Sequence, residues 1–419
     1  MHVTQLGQKL RAQIEQFSGI ISPQFSKPKS KFIEQMLLGI AAAQDCKLSQ
    51  IARALAEPIT LKKTEERLSH HLAQPHLGAA VQAQLVAQAA RRIKEETLIV
   101  IDPTDVRKNY AQTMPYLARV RDGSSGELAN GYWCGVALAC ESTSRKVIPL
   151  LQQLWSAEAP DFQSENTQLL QMIDTIAAAT AKRGVYVLDR GGDRSKLYLP
   201  LLERGLRFIV RLVGDRHLTV RGRSRSAREL ARGVKLRYAE TVVRESSGGE
   251  KKVHLQYGFR AVKLPRYPQQ SLTLVVLSGF GQEPLLLLTN LEVKATRRSV
   301  WRVVQGYLSR WLVEETIRFI KQSYQLEDLR VLHYERLRNL AALVMASAYF
   351  AAAWLGHSLK LAVLASRVMK SARRFFGVPE FHYYALADGI GFVLSRSHLC
   401  RPKVASPAAL SQLWLFRTA

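Results

Sequence analysis

The chain has 419 residues, enough to bury a large core and to hold two or more domains. Sixty Lys and Arg against 34 Asp and Glu give a net charge of +26 and a pI near 10.2; an imbalance of this size fits a nucleic-acid partner better than a merely soluble basic surface or a membrane face. Four cysteines, Cys46, Cys134, Cys140 and Cys400, stand without a CxxC pair, so neither a zinc site nor a disulfide framework is indicated.

The opening segment, "MHVTQLGQKLRAQIEQF", is polar and reads as a helix rather than a secretory signal. Helical apolar spacing continues through "KFIEQMLLGIAAAQ" and "LSQIARALAE", so residues 1–90 are expected to form a helical N-terminal region that binds DNA. "LSQIARALAE" followed by "PITLKKTEERLSHHL" suits a helix-turn-helix that carries Lys62, Lys63 and Arg67 toward DNA. An ordinary helical bundle with a solvated charged face would read the same way. His70 and His71 suit solvated or capping positions better than ligand positions.

At residue 97 the pattern changes. The run at 97–101 (TLIVI) leads to Asp102 and the run at 185–188 (VYVL) to Asp189, so each acid is expected where a short buried strand finishes. An acid there is costly unless something pairs with it. Between them lie a Gly-rich turn, "RDGSSGELANG", two strand-like stretches, "YWCGVALACES" and "KVIPLLQQLW", and an amphipathic helix, "ENTQLLQMIDTIAAATAKRG". A short helix at about 194–204 and a strand, "RFIVRLV", follow Asp189. Asp105 and Asp193 fall past the expected strand ends, where a cap or turn residue is the default.

From 215 to 298 the helical signal mostly disappears, and "KVHLQYGFRAVKL", "SLTLVVLSGF" and "PLLLLTNLEV" read as strands. Arginine is dense at the start of this segment, at Arg216, Arg221, Arg223, Arg225, Arg228 and Arg232, and each can neutralise a phosphate. Beyond it, Tyr307, Arg310, Glu314 and Lys321 stand at offsets 0, 3, 7 and 14. At about 100° per residue these fall within roughly 60° of one another, so one helix would present all four as a single polar stripe, with Arg318 nearby. A surface helix with an Arg310–Glu314 charge pair is the alternative. The apolar run at 340–355, "LAALVMASAYFAAAWL", is short for a membrane span and rich in alanine, which suits a buried core helix.

Together, Asp102, Asp189 and the Tyr-x2-Arg-x3-Glu-x6-Lys string resemble the DDE transposases of bacterial insertion sequences, in the subgroup with the Tyr-Arg-Glu-Lys signature. The contexts "LIVIDPTDVRK" and "VYVLDRGGDR" are similar to that family's first two acidic motifs. The resemblance covers roughly residues 91–340 and implies an α/β fold: an RNase H-like catalytic core with a β-rich insertion before the last catalytic helix, flanked by helical N- and C-terminal regions. The element order strand, strand, strand, helix, strand, helix, strand agrees with such a core. The expected divisions are 91–214 for the first part of the core, 215–299 for the insertion, 300–340 for the motif helix and 341–419 for a helical C-terminal region. There, "SARRFFGVPEFHYY" is expected to supply protein contacts or to cap the core.

Three carboxylates on one site suit hard cations, above all Mg²⁺. The resemblance implies Asp102, Asp189 and Glu314 as catalytic residues and metal ligands, with two Mg²⁺ ions, Mn²⁺ able to substitute, and Asp102 shared. It implies phosphate contacts from Tyr307, Arg310 and Lys321, joined by Arg318; the DNA contacts expected of Lys62, Lys63, Arg67, Arg221, Arg223 and Arg225 rest on the helix-turn-helix spacing and the arginine density read above. The partners implied are double-stranded DNA, as element ends and target, and a second copy in a synaptic homodimer, with no membrane and a bacterial nucleoid setting in the cytoplasm. A metal-dependent nuclease of the same fold without strand transfer, or a retained DNA-binding protein, would share much of the pattern.

Overall fold

The computed structural model describes residues 3–108, 111–121, 126–141, 146–246, 249–328, 331–368 and 383–397. Five helices open the chain: α1 (Val3–Ile21), α2 (Lys27–Ala43), α3 (Leu48–Leu55), α4 (Leu61–Leu72) and α5 (Leu77–Ala90). Their buried residues recur at helical spacing, as with Leu6, Leu10, Ile14, Phe17 and Ile21 on α1, so each helix turns one apolar stripe inward. Polar side chains close the ends, for example Thr60, whose hydroxyl accepts from the Lys63 N–H at the start of α4.

The sheet begins with β1 (Leu98–Arg107), β2 (Ala118–Arg121), β3 (Leu128–Cys140) and β4 (Val147–Trp155). Next come α6 (Glu165–Ala179), β5 (Val185–Leu188), α7 (Ser195–Glu203) and β6 (Arg207–Arg211). The expected strands and helices of this stretch are present, with β2 as an unforeseen short addition on β3. β3 runs antiparallel to β1 and β4 antiparallel to β3, whereas β5 is parallel to β1 and β6 parallel to β5. The parallel strands are apolar nearly throughout because helices cover them, while "ARVR" in β2 alternates buried and exposed.

The segment expected as an insertion does not form a sheet of its own. It supplies β7 (His217–Val220), β8 (Arg223–Ser226), α8 (Ala227–Arg232), β9 (Tyr238–Ser246), β10 (Gly249–Leu264), β11 (Tyr267–Ser278) and β12 (Leu285–Thr289). β12 pairs with β6, β11 with β12 and β10 with β11, so these strands extend the core sheet to twelve among the described residues. The run "LLLLT" of β12, buried at every position, suits an interior strand of this sheet, covered on both faces and paired with β6 and β11 along its two edges.

After the sheet come α9 (Arg297–Leu308), α10 (Trp311–Ser323), α11 (Tyr334–Tyr349), α12 (His357–Val368) and α13 (Tyr383–Arg396). α11 passes straight through the boundary expected at 340 and continues as a π-helical turn, Phe350–Trp354. That helical stretch, Tyr334–Trp354, is long and apolar enough to cross a membrane, but 89% of its apolar window is buried inside the protein. It packs on α2, α5 and β4, while α13 packs on α1 and α2, so the N- and C-terminal helical regions build one shared bundle. Most of "SARRFFGVPEFHYY", and Cys400, lie outside the described residues. Cys46, Cys134 and Cys140 are free and buried.

Two buried amides tie this bundle down. Gln82 on α5 pairs with both backbone groups of Gln152, so its amide acts as a neighbour to the edge strand β4. Asn339 on α11 donates to the Leu72 and Gln74 carbonyls, both at 2.9 Å, and accepts from the Gly78 N–H at 2.7 Å. Gly78 lets the chain come this close, since a Cβ there would sit 2.8 Å from the Asn339 side-chain oxygen. Replacing Asn339→Leu strands two carbonyls and an N–H in the interior, and a loss of roughly 3 kcal/mol or more is expected in urea denaturation.

Candidate active site

The site forms where β1 outlives one of its neighbours. β3 pairs with β1 over its whole length, from Leu98 opposite Cys140 to Arg107 opposite Gly131, but the pairing with β5 stops at Val100 opposite Val187. Two residues farther along each strand stand Asp102 and Asp189. Adjacent strands lie about 4.8 Å apart, so this register sets the two carboxylates side by side at the open notch. Asp102 is therefore inside a ten-residue strand rather than at its end, as Thr104 and Val106 prolong the β pattern. Asp189 does end its strand. Its carboxylate accepts from the Gly192 N–H at 3.2 Å across a single 3₁₀ turn, Arg190–Gly192. A Cβ on Gly191 would lie 3.0 Å from that carboxylate oxygen and one on Gly192 would strike Leu188, so the two glycines make the tight turn possible.

The polar stripe arrives from the other side, carried by two helices instead of the single one expected. α9 ends at Leu308 and α10 begins at Trp311, with Ser309 and Arg310 in a turn whose bonds tighten to the i+3 pattern, as in Leu312 N–H to Ser309 O at 3.1 Å. Both turn residues keep right-handed backbone angles, so the stripe survives the break. Gly306 lets α9 press on the sheet, its Cα facing Ile209 of β6 and Leu98 of β1. Arg310 then reaches the notch. Its Nη1 donates to Asp102 Oδ2 at 3.0 Å and its Nη2 donates to Glu314 Oε1, one turn along. Tyr307 is buried beside this turn.

Burial raises the Asp102 carboxyl from 3.8 to about 7; the Arg310 guanidinium opposes the rise, and the nearby charges of Asp189 and Glu314 add to it. Asp189, level with Asp102 on the next strand, and Glu314, joined to it through Arg310, both flank Asp102 at the notch. Hard oxygen donors are the right chemistry for Mg²⁺. As placed, however, no three Asp, Glu, His or Cys side chains among the described residues are close enough to hold one ion together. Arg310 is the cation paired with two of the three expected ligands, through Asp102 Oδ2 and Glu314 Oε1.

Asp105, set aside in the sequence as a turn residue, is buried within β1. Its carboxylate meets Lys321 Nζ at 3.6 Å and Arg107 Nε at 3.8 Å. Lys321 and Arg107 also bind Glu327, at 3.0 and 3.5 Å, closing a ring of two acids and two bases that pins the end of α10 to β1. Lys321 thereby lines a cavity of about 180 Å³ with Gln322, Gln325 and Glu327. The β-branched residues flanking Asp105 were the available signal that the strand ran on. Asp193 is a turn residue as expected, accepting from the Val213 N–H at 2.8 Å and from Arg216. That bond, and a seat 4.6 Å over the Tyr198 ring, make Arg216 a structural arginine instead of a phosphate contact.

The remaining basic residues divide by what holds them. Arg221 and Gly222 form the tip of the β7–β8 hairpin, both at positive φ between the paired Val220 and Arg223, and Arg221, Arg223 and Arg225 are exposed. Lys62 and Lys63 are exposed at the start of α4, which packs against α3. Arg67 is engaged, donating to Gln35 at 2.7 Å and to Glu57 at 2.5 Å. Arg318 is exposed and bonds Glu315 at 2.8 Å. Trp301 packs 5.5 Å from the Tyr257 ring, whereas Trp311, next to Arg310, is exposed.

Residues 93–350, more than half of the chain, match the family described as Transposase DDE domain. The chain belongs to this family. Its DDE domain runs from just before β1 to the end of α11, so α1–α5 and α12–α13 lie outside it. Members of the family generally use divalent metal ions. Among solved structures, the piggyBac transposase synaptic complex with hairpin DNA, from electron cryo-microscopy, is similar at 9% identity over 97% of this chain and 82% of that one, with a TM-score of 0.44. No curated protein matches the sequence.

Two outcomes check this geometry. Asp105→Ala leaves Lys321 and Arg107 without their buried acid, and about 3 kcal/mol of stability should be lost, read from urea denaturation. Because the Asp102 carboxyl is raised in the folded DDE domain, the stability it contributes is complete below pH 3.8 and is lost as pH rises through about 7. Asp102→Asn mimics the neutral form at every pH. Its stability relative to wild type should therefore improve as pH rises across that window, by at most about 1.4 kcal/mol per pH unit, measured by thermal melts from pH 4 to 8.

Proposed function

We propose that this DDE-family chain is a transposase that binds the terminal inverted repeats of an insertion sequence, cleaves the element's ends by metal-dependent phosphodiester hydrolysis, and joins the 3′-ends to target DNA. The observation that carries the reading is the notch itself: Asp102 and Asp189 level on neighbouring strands, with Glu314 brought to Asp102 through Arg310. The strand order β4-β3-β1-β5-β6, with β5 and β6 parallel to β1 and β3 antiparallel, supports an RNase H-like core.

In this reading Asp102, Asp189 and Glu314 are the oxygen donors for Mg²⁺, two ions in all, with Mn²⁺ able to substitute. Such ions supply charge stabilisation to the attacking and leaving oxygens of an in-line displacement. The chain's own cations do the binding. Arg310, Tyr307 and Arg318 are assigned to phosphates near the scissile bond, since a guanidinium pairs with phosphate in a bidentate fork; Lys321, expected with them, is held by Asp105 and Glu327 and fixes the helix that carries Glu314. The exposed arginines of the β7–β8 hairpin and Lys62 and Lys63 of α4 suit phosphate tracking away from the cut, in double-stranded element ends or target. A synaptic homodimer and a bacterial, nucleoid-associated setting belong to the same proposal.

The test is a cleavage and strand-transfer assay with purified protein, Mg²⁺ or Mn²⁺, and DNA carrying the repeats that flank the gene. Metal-dependent nicking at the repeat ends with joining to a second duplex is expected, reduced by about three orders of magnitude in Asp189→Ala and in Glu314→Ala, as for members of one catalytic unit. Cutting without joining would point instead to a nuclease, and repeat-specific binding without cutting to a retained binding protein.

A further inference from the structure

One cation already sits at the carboxylates assigned to metal. Arg310 binds Asp102 Oδ2 at 3.0 Å through one nitrogen and Glu314 Oε1 through the other, and its side chain is only 17% exposed. As placed, no group of three metal-ligating side chains is assembled among the described residues, and at Asp102 and Glu314 a guanidinium is paired with one oxygen of each. We infer that Arg310 is the resident cation of the Asp102–Glu314 pair in the DNA-free protein, and that a DNA phosphate draws it out, so that divalent-ion binding and DNA binding strengthen each other. The inference rests on the metal-dependent reading above.

The physical basis is competition followed by exchange. A buried carboxylate needs a counter-charge, and Asp102 is crowded by Asp189 and Glu314, so something positive must stay near it. A guanidinium does this with fixed geometry, spanning two carboxylates with one planar fork. A divalent ion would seek the same two carboxylates and would meet the guanidinium's positive charge beside them, while the fork holds one oxygen of each acid, Asp102 Oδ2 and Glu314 Oε1, turned toward Arg310. Phosphate is the other ligand a guanidinium fork fits, and phosphate brings its own negative oxygens to the site. Once DNA arrives, Arg310 can exchange two carboxylate bonds for two phosphate bonds at little net cost, and the acids are released to converge.

The surroundings permit that movement. Glu314 is 53% exposed on the first turn of α10, so its carboxylate can turn without unpacking a core. Trp311 beside Arg310 is 45% exposed, so the side of the turn facing away from Asp102 is open. Lys321 does not share the duty, because Asp105 and Glu327 hold it farther along α10. By linkage, whatever factor DNA gives to ion affinity, ions must return to DNA affinity.

The experiment measures Mn²⁺ binding to the full chain by the electron paramagnetic resonance of free Mn²⁺, with and without a short duplex of the flanking repeat. Wild type, Arg310→Ala and Arg310→Lys are compared, each checked for folding by circular dichroism. Charge-assisted hydrogen bonds of this kind set the scale: without DNA, Arg310→Ala should bind Mn²⁺ at least about tenfold more tightly than wild type. Arg310→Lys, with one ammonium that cannot span both acids, should fall between. DNA should tighten Mn²⁺ binding in wild type and barely alter it in Arg310→Ala. Should Arg310→Ala not fold, the wild-type comparison with and without DNA decides: a Mn²⁺ affinity that DNA leaves unchanged overturns the inference. Unchanged or weaker Mn²⁺ binding in a folded Arg310→Ala also overturns it, while the metal-dependent reading stands. Failure of every protein to take up Mn²⁺, with or without DNA, would sink both.

Discussion

The site depends on a mismatch in hydrogen-bonding length. β1 keeps its antiparallel partner β3 to Arg107 but loses its parallel partner β5 after Val100. A strand with one side unpaired is ordinarily a liability, and here the freed side is where the acids stand. Because the parallel register fixes Val100 against Val187, the level of Asp102 against Asp189 is set by the backbone and not by side-chain choice. The double glycine after Asp189 then turns the chain away within three residues, keeping the notch open.

Charge arrangement follows from that backbone. The notch gathers Asp102, Asp189 and Glu314 against Arg310, and a second ring of Asp105, Glu327, Lys321 and Arg107 lies along the same strand. The first group holds more acids than bases and is partly open; the second is balanced. An excess of clustered negative charge calls for cations from outside, whereas a balanced ring only fixes geometry. The second ring thus serves the first: it anchors α10 so that Glu314, seven residues before Lys321, stays over the strand that bears Asp102. Exposed basic residues elsewhere, such as Arg221, Arg223 and Arg225 of the β7–β8 hairpin, can meet a polyanion without disturbing the notch.

Much of this was legible in the sequence, for identifiable reasons. Short apolar runs ahead of Asp102 and Asp189 marked strands because buried parallel strands need apolar residues on both faces. The Tyr307, Arg310, Glu314 and Lys321 spacing survived into the structure even though the helix breaks at Ser309, because the break keeps right-handed backbone angles. Three things were not legible. The extent of β1 past Asp102 depends on pairing with β3, a distant segment. The merging of the 215–299 strands with the core sheet depends on which edge β12 finds. The roles of Arg67 and Arg216 depend on two acids, Glu57 and Asp193, that sequence spacing does not place beside them. Tertiary partners decided each case; the β-branched Thr104 and Val106 were a local trace of the first, that β1 runs on past Asp102.

The claim on which the rest stands is that Asp102, Asp189 and Glu314 serve one metal-binding notch in the DNA-bound protein. Iron-directed cleavage tests it most directly: Fe²⁺ bound in place of Mg²⁺, with peroxide and ascorbate, cuts the polypeptide backbone near the ion. With repeat-end DNA bound, cuts are expected at three sequence-distant places together, around 102, 189 and 314, and all three should vanish in Asp189→Ala. Cuts confined to one of these segments, or centred elsewhere and indifferent to Asp189→Ala, would contradict a shared site.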